Sequence, residues 1–167
     1  MIFDADNTLR RNTVPGRVCP YGPGEWEPMP GLREALAGVR WGAPGGPPDG
    51  LLLAVASNQD HVAYGHLAAA MALRLLQDAA EAVTGLRPEP EATRFCPHRV
   101  DAGCRCRKPE PGLLLDAMAH HRVGAQATLL VGDAPVDREA ARRAGVRFLD
   151  VVEVLAAREP DLPVPGA

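Results

Sequence analysis

Residues 51–56 read LLLAVA, an apolar run with no polar alternation. A strand with one face in water alternates apolar and polar side chains. An unbroken run instead predicts a strand covered on both faces, as in parallel sheets flanked by helices. The rest of the chain keeps the matching rhythm. A short apolar strand opens the sequence, and further strands are predicted over Ala92–Phe95, Ala127–Val131 and Val146–Asp150. Leu32, Leu36 and Val39 recur at helical spacing behind Pro30, predicting a helix over 31–41. The segment His61–Thr84, with Leu73, Leu76, Ala80 and Val83 on one face and Gly85 as its C-cap, predicts the longest helix. Further helices are predicted over Pro111–Val123, Val136–Ala144 and Val151–Ala157. Strands alternating with helices predict an α/β fold: a single Rossmann-like three-layer domain over 1–167 with a parallel sheet and no internal repeat.

Three stretches escape this rhythm. Residues 10–30 are rich in Pro and Gly and read as a long loop, with Tyr21 and Trp26 favouring an ordered flap. Residues 42–50 form a Gly/Pro connector, and the Pro-rich tail over 158–167 is expected to fray. The sequence has no apolar run long enough for a bilayer and no charged-then-apolar leader, so a soluble cytoplasmic monomer is the expectation. A net charge of -3 leaves no basic footprint for nucleic acid.

In open parallel sheets, ligands bind beyond the carboxyl ends of the strands. Asp4, Ser57, Lys108 and Asp133 all fall at or after such ends. In MIFDADNTL, Asp4 and Asp6 follow the first strand, with the Thr8 hydroxyl just beyond. Such a pair can bind a hard cation and still offer a carboxylate oxygen for attack, although Asp and Asn after a strand are also ordinary turn formers. Jointly the four positions supply a nucleophile, a hydroxyl, a cation and a metal carboxylate. Phosphoryl transfer needs this set, because charge spreads over the equatorial oxygens of the group in flight.

The order DADNT, Ser57, Lys108, GDAPVD resembles the haloacid dehalogenase superfamily of phosphatases over almost the whole chain. The resemblance implies Asp4 as nucleophile and Asp6 as general acid and base. It further implies magnesium held by the carboxylates of Asp4 and Asp133 and the main-chain carbonyl of Asp6. Thr8, Ser57 and the amide of Asn58 would contact phosphate, Lys108 would neutralise it, and Asp137 would orient Lys108 or a metal-bound water. Asn7 stands where the family usually has Gly, and Asn tolerates positive φ better than most residues.

Cys96, His98, Cys104 and Cys106 form a CxH…CxC set in an aperiodic loop over 96–107. Four such ligands match a closed tetrahedral zinc site with no open position, so the metal would be structural and would fix Lys108 in place. Buried thiols beside an incidental His are the alternative. The loop CPHRVDAGCRCRKPEPG is similar to that of the heptose 1,7-bisphosphate and histidinol-phosphate phosphatases, which have little or no mobile cap. That similarity gives Arg107 a substrate contact. Asp60, His61 and Tyr64 depart from the relatives' sequence, His61 and His66 could reach the mouth, and Cys19 has no partner in sequence.

The leading expectation is thus a magnesium-dependent phosphatase, stabilised by zinc, acting on a small phosphorylated metabolite such as a sugar phosphate or bisphosphate. The alternatives are a 3′-phosphatase on nucleic-acid ends and a catalytically silent zinc-stabilised binding module.

Overall fold

A computed structural model describes residues 1–42 and 50–157; most of the 42–50 connector and all of the 158–167 tail lie outside the described residues. Five parallel strands form the sheet: β1 (Ile2–Phe3), β4 (Ala54–Asn58), β5 (Thr93–Cys96), β6 (Leu129–Gly132) and β7 (Arg147–Asp150), in the order β5-β4-β1-β6-β7. The predicted strands are present but displaced. β4 begins three residues after the start of the LLLAVA run and extends through Ser57 and Asn58, while Leu51 only bridges to Trp41.

Alternate strand residues enter opposite cores, which explains the unbroken apolar runs. Phe3, Val55, Leu129 and Val131 pack with α1 (Leu32–Ala35), α2 (Ala69–Thr84) and α5 (Val151–Ala156). Ile2, Ala54, Ala56 and Leu130 pack with α3 (Gly112–His121) and α4 (Pro135–Ala144). The three-layer α/β architecture is therefore present. The first connections run from β1 toward β5 across one face, and the later ones run toward β7 across the other. This reversal opens a crevice between the ends of β1 and β6.

Three sequence expectations need correction. The 31–41 helix is a single turn, because the chain bends at Leu36 and Gly38 gives little support to another turn. The long helix starts at Ala69 and not at His61, since Gly65 takes a left-handed conformation (φ 74°) that interrupts helix. The 10–30 segment contains an antiparallel ribbon, β2 (Arg10–Asn12) with β3 (Trp26–Pro28). Its turn is tied by Asn12 Nδ2 to the carbonyls of Val14 and Arg17, and by Glu25 accepting from the amides of Tyr21 and Gly22. Among the described residues, no helix is long and apolar enough to cross a membrane.

Candidate active site

The site is assembled at the carboxyl ends of β1, β4 and β6. Asp4 leaves β1 buried, its main-chain N–H donating to Val131 O at 2.9 Å, so the two central strands fix its position. The next turn closes with Asn7 at φ 59°, the conformation its sequence position requires, while Thr8 is fully buried and donates to Asp133 Oδ1 at 3.4 Å. Asp133 follows β6, and its neighbour Gly132 cannot be replaced without collision: a Cβ there would lie 2.7 Å from Asp137 Oδ2. Asp137 in turn accepts from the Ala134 amide at 3.1 Å in the first turn of α4.

Lys108 joins these groups. Its Nζ lies 2.5 Å from Asp4 Oδ1, 2.6 Å from Asp137 Oδ1 and 2.7 Å from Ala56 O. Nζ donates hydrogen bonds to Asp4 Oδ1 and Ala56 O, and pairs with Asp137 Oδ1 by charge. Asn58 sets where the lysine stands: its Nδ2 donates to Lys108 O and its Oδ1 accepts from Lys108 N, both at 3.0 Å. The side-chain amide of Asn58 is thus occupied with Lys108. Of the two partners expected for Asp137, Lys108 stands beside it, and its carboxylate also belongs to the cluster that could hold a metal ion.

The electrostatics follow from burial. Asp4 is pushed up to about 7 by desolvation, with Asp137 and Asp6 adding and Lys108 pulling the other way. Asp133 is also raised, first by burial and then by Asp137. Burial opposes the charge on Lys108, yet the two carboxylates beside it outweigh that and hold it protonated. Ligand oxygens of Asp4, Asp133 and Asp137 all lie within 4.8 Å of one another. Four carboxylates, counting Asp6, face two cations, Lys108 and Arg10, which leaves a surplus of two negative charges. Hard oxygen donors with that surplus fit a divalent cation such as magnesium.

Two residues at the site were not singled out by sequence. Asp6 accepts from Arg10 Nε at 2.9 Å and from Gln59 Nε2 at 2.7 Å, and Gln59 Nε2 also donates to Ser57 Oγ at 3.0 Å. Ser57, Gln59 and Arg10 are all buried. Arg107 lies 3.5 Å from Asp60 Oδ2 and donates to His98 O at the same distance, at the edge of the 96–107 loop. His61 meets the flap, its Nδ1 3.0 Å from the Tyr21 hydroxyl, and His66 stacks on the Tyr21 ring.

The four residues of the CxH…CxC set converge. Cys96 Sγ lies 3.6 Å from His98 Nδ1 and 3.6 Å from Cys104 Sγ; Cys106 Sγ lies 3.2 Å from His98 Nδ1 and 3.5 Å from Cys104 Sγ. A tetrahedral zinc with bonds of about 2.0–2.3 Å has ligand-to-ligand edges of roughly 3.3–3.8 Å, so the set fits. Burial and neighbouring thiols push Cys106 up to about 12, whereas Cys104 falls to about 6 because hydrogen bonds outweigh its desolvation. α3 abuts this loop at Gly112, where a Cβ would lie 2.3 Å from Arg105 O.

The HAD-hydrolase-like family matches residues 105–153, the segment that carries Lys108, Asp133 and Asp137. A D-glycero-beta-D-manno-heptose-1,7-bisphosphate 7-phosphatase from Bordetella bronchiseptica is 30% identical over 148 residues, 87% of this chain and 75% of that protein. The chain belongs to this family of haloacid dehalogenase-like hydrolases. Another heptose-bisphosphate phosphatase, from Pseudomonas putida, is 36% identical over 125 residues, 74% of this chain and 66% of that one. The Pseudomonas aeruginosa relative is 36% identical over 118 residues, 62% of its length, so the chain spans just under two thirds of these two family members. The crystal structure of the B. bronchiseptica D,D-heptose 1.7-bisphosphate phosphatase, complexed with magnesium and phosphate, superposes with a TM-score of 0.69. That match has 28% identity and covers 99% of this chain and 88% of the heptose-bisphosphate phosphatase.

Proposed function

We propose that the chain is a magnesium-dependent phosphomonoester hydrolase that acts on a sugar bisphosphate through an aspartyl-phosphate on Asp4. The observation that carries this reading is the placement of Lys108, buried between Asp4 and Asp137 within reach of the same carboxylate cluster as Asp133. A surface lysine or a plain helix cap would not be so held. The heptose-bisphosphate phosphatase names of the relatives support the substrate class.

Asp4 attacks phosphorus through the oxygen not held by Lys108, while Asp6 gives a proton to the departing sugar alkoxide. Water then attacks the aspartyl-phosphate, giving its proton to Asp6, and Asp4 is released with inorganic phosphate. Magnesium would be held by Asp4 and Asp133 with the main-chain carbonyl of Asp6, and would supply positive charge against the phosphoryl oxygens. Ser57 donates its hydroxyl proton to a phosphate oxygen, Thr8, whose proton goes to Asp133 Oδ1, steadies that carboxylate beside the phosphate, and Arg107 meets the sugar side at the rim. Asn58 acts by holding Lys108. Cys96, His98, Cys104 and Cys106 would hold zinc, which would anchor the loop that ends at Lys108.

Phosphate release from a panel of sugar mono- and bisphosphates, heptose 1,7-bisphosphate included, tests the reading. The magnesium-loaded protein should hydrolyse at least one bisphosphate, and Asp4→Asn should abolish release. Absence of release from every sugar phosphate would overturn the assignment.

A further inference from the structure

Arg10 is the largest fully buried side chain among the described residues, and it lies in the first strand of the flap ribbon. Its Nε donates to Asp6 Oδ1, while Nη1 and Nη2 have no hydrogen-bond partner among the described residues. Burying a full charge against one carboxylate is a poor way to stabilise a fold, since a well-packed apolar side chain of similar volume commonly does as well or better. The arrangement makes sense if what matters is where Asp6 points.

The second oxygen of Asp6 is held from a different element. Gln59, at the end of β4 and 1% exposed, donates through Nε2 to Asp6 Oδ2 at 2.7 Å and to Ser57 Oγ at 3.0 Å. The amide orientation is forced, because the reverse would set Oε1 against a carboxylate oxygen. Ser57 Oγ accepts from Gln59, so its own proton is left to donate elsewhere. The main chain closes the same turn: Asn7 N donates to Arg10 O at 2.8 Å and Arg10 N to Ala5 O at 3.0 Å.

We propose that Arg10 and Gln59 are positioning residues that clamp the two oxygens of Asp6 from the flap and from β4. The clamp aims the free site on Asp6 that carries its transferable proton at the leaving-group oxygen, and Gln59 turns the Ser57 hydroxyl toward the phosphoryl group. The inference rests on the phosphatase reading, with Asp6 as the group that moves protons. In the first step the bond from phosphorus to the leaving oxygen breaks as the Asp4–phosphorus bond forms, and the Asp6 proton passes to the leaving oxygen. In the second step the phosphorus–Asp4 bond breaks as water oxygen bonds phosphorus, and a water proton passes to Asp6. A misaimed Asp6 harms the first step only when the leaving group needs a proton.

That dependence is the test. The full-length, magnesium- and zinc-loaded protein is assayed with p-nitrophenyl phosphate, whose leaving group departs without a proton, and with heptose 1,7-bisphosphate, whose alkoxide requires one. General acid catalysis contributes about 10²–10⁴-fold, so misaiming should forfeit at least tenfold. Arg10→Met and Gln59→Leu should each lower kcat/KM for the sugar ester at least tenfold more than for the aryl ester. With the aryl ester, kcat should fall while kcat/KM holds, because only the second step then uses Asp6. Arg10→Lys, which keeps a donor toward Asp6, should recover most of the loss. Equal losses on both esters, or no loss, in either Arg10→Met or Gln59→Leu would overturn the clamp. Asp6→Asn separates the two levels: if it shows no leaving-group dependence, the acid–base reading itself fails; if it does and the clamp variants do not, only the clamp fails.

Discussion

Replacing Lys108 by Met keeps the length of a buried side chain and removes its charge. Nζ sits 2.5 Å from Asp4 and 2.6 Å from Asp137, with only 2% of the lysine side chain exposed. Breaking a buried ion pair by removing one partner costs about 3–5 kcal/mol. At about 2–4 °C per kcal/mol for a domain of this size, Tm should fall by roughly 6–20 °C. The two carboxylates left behind have ligand oxygens within 4.8 Å of each other. Unit charges about 4 Å apart repel by roughly 4 kcal/mol at an effective dielectric of about 20. Asp4, already near pH 7, is then driven further toward its protonated form. With the lost stabilisation of the phosphoryl group, kcat/KM should drop by about 10²–10³. Differential scanning fluorimetry and a phosphate-release assay read both effects. Adding Asp137→Asn removes the surplus charge, so the double variant should regain most of the lost Tm and none of the lost rate. A Lys108→Met protein that keeps more than a tenth of its rate, or a double variant that regains activity with stability, would refute the reasoning.

The other predictions concern the metals and the close contacts. Without magnesium, the folded chain holds a proton on Asp4 that the unfolded chain releases near pH 3.8, so stability should fall as pH rises from about 4 through about 7. Magnesium displaces that proton, so its apparent affinity, read by thermal shift, should weaken about tenfold per pH unit below about 7 and level off above it. Metal analysis should return about one equivalent of zinc, and Cys104→Ser should lower both zinc content and activity, because the loop ends at Lys108. Gly112→Ala forces a Cβ to 2.3 Å from Arg105 O and should cost zinc affinity as well as stability, read by a chelator competition assay.

The layered α/β fold was legible in the sequence because burial on both sheet faces leaves continuous apolar runs such as LLLAVA, and a parallel strand needs a helix to return. The convergence of Asp4, Lys108 and Asp133 was legible from their positions relative to strand ends, and the place of Asp137 came only with the family resemblance. The β2–β3 ribbon was not, since three-residue strands among Pro and Gly carry no readable period. Arg10 escaped for the same reason: a charged residue in such a stretch reads as solvated, and its contact with Asp6 exists only once the ribbon forms. Gln59 follows Ser57 by two residues, and nothing in its type distinguishes a buried bridge from a polar turn. The bond of the Asn58 side chain to Lys108 was not legible either, because it joins residues fifty apart that meet only in the tertiary fold.

The central claim is that Asp4 carries the phosphoryl group. Acid-quenching the magnesium-loaded protein during turnover and reducing it with borohydride should convert residue 4, and no other carboxylate, to homoserine, detectable by peptide mass spectrometry. Asp4→Asn should give none. Turnover at a measurable rate with residue 4 left unlabelled, or label placed on Asp6 or Asp133, would contradict the account.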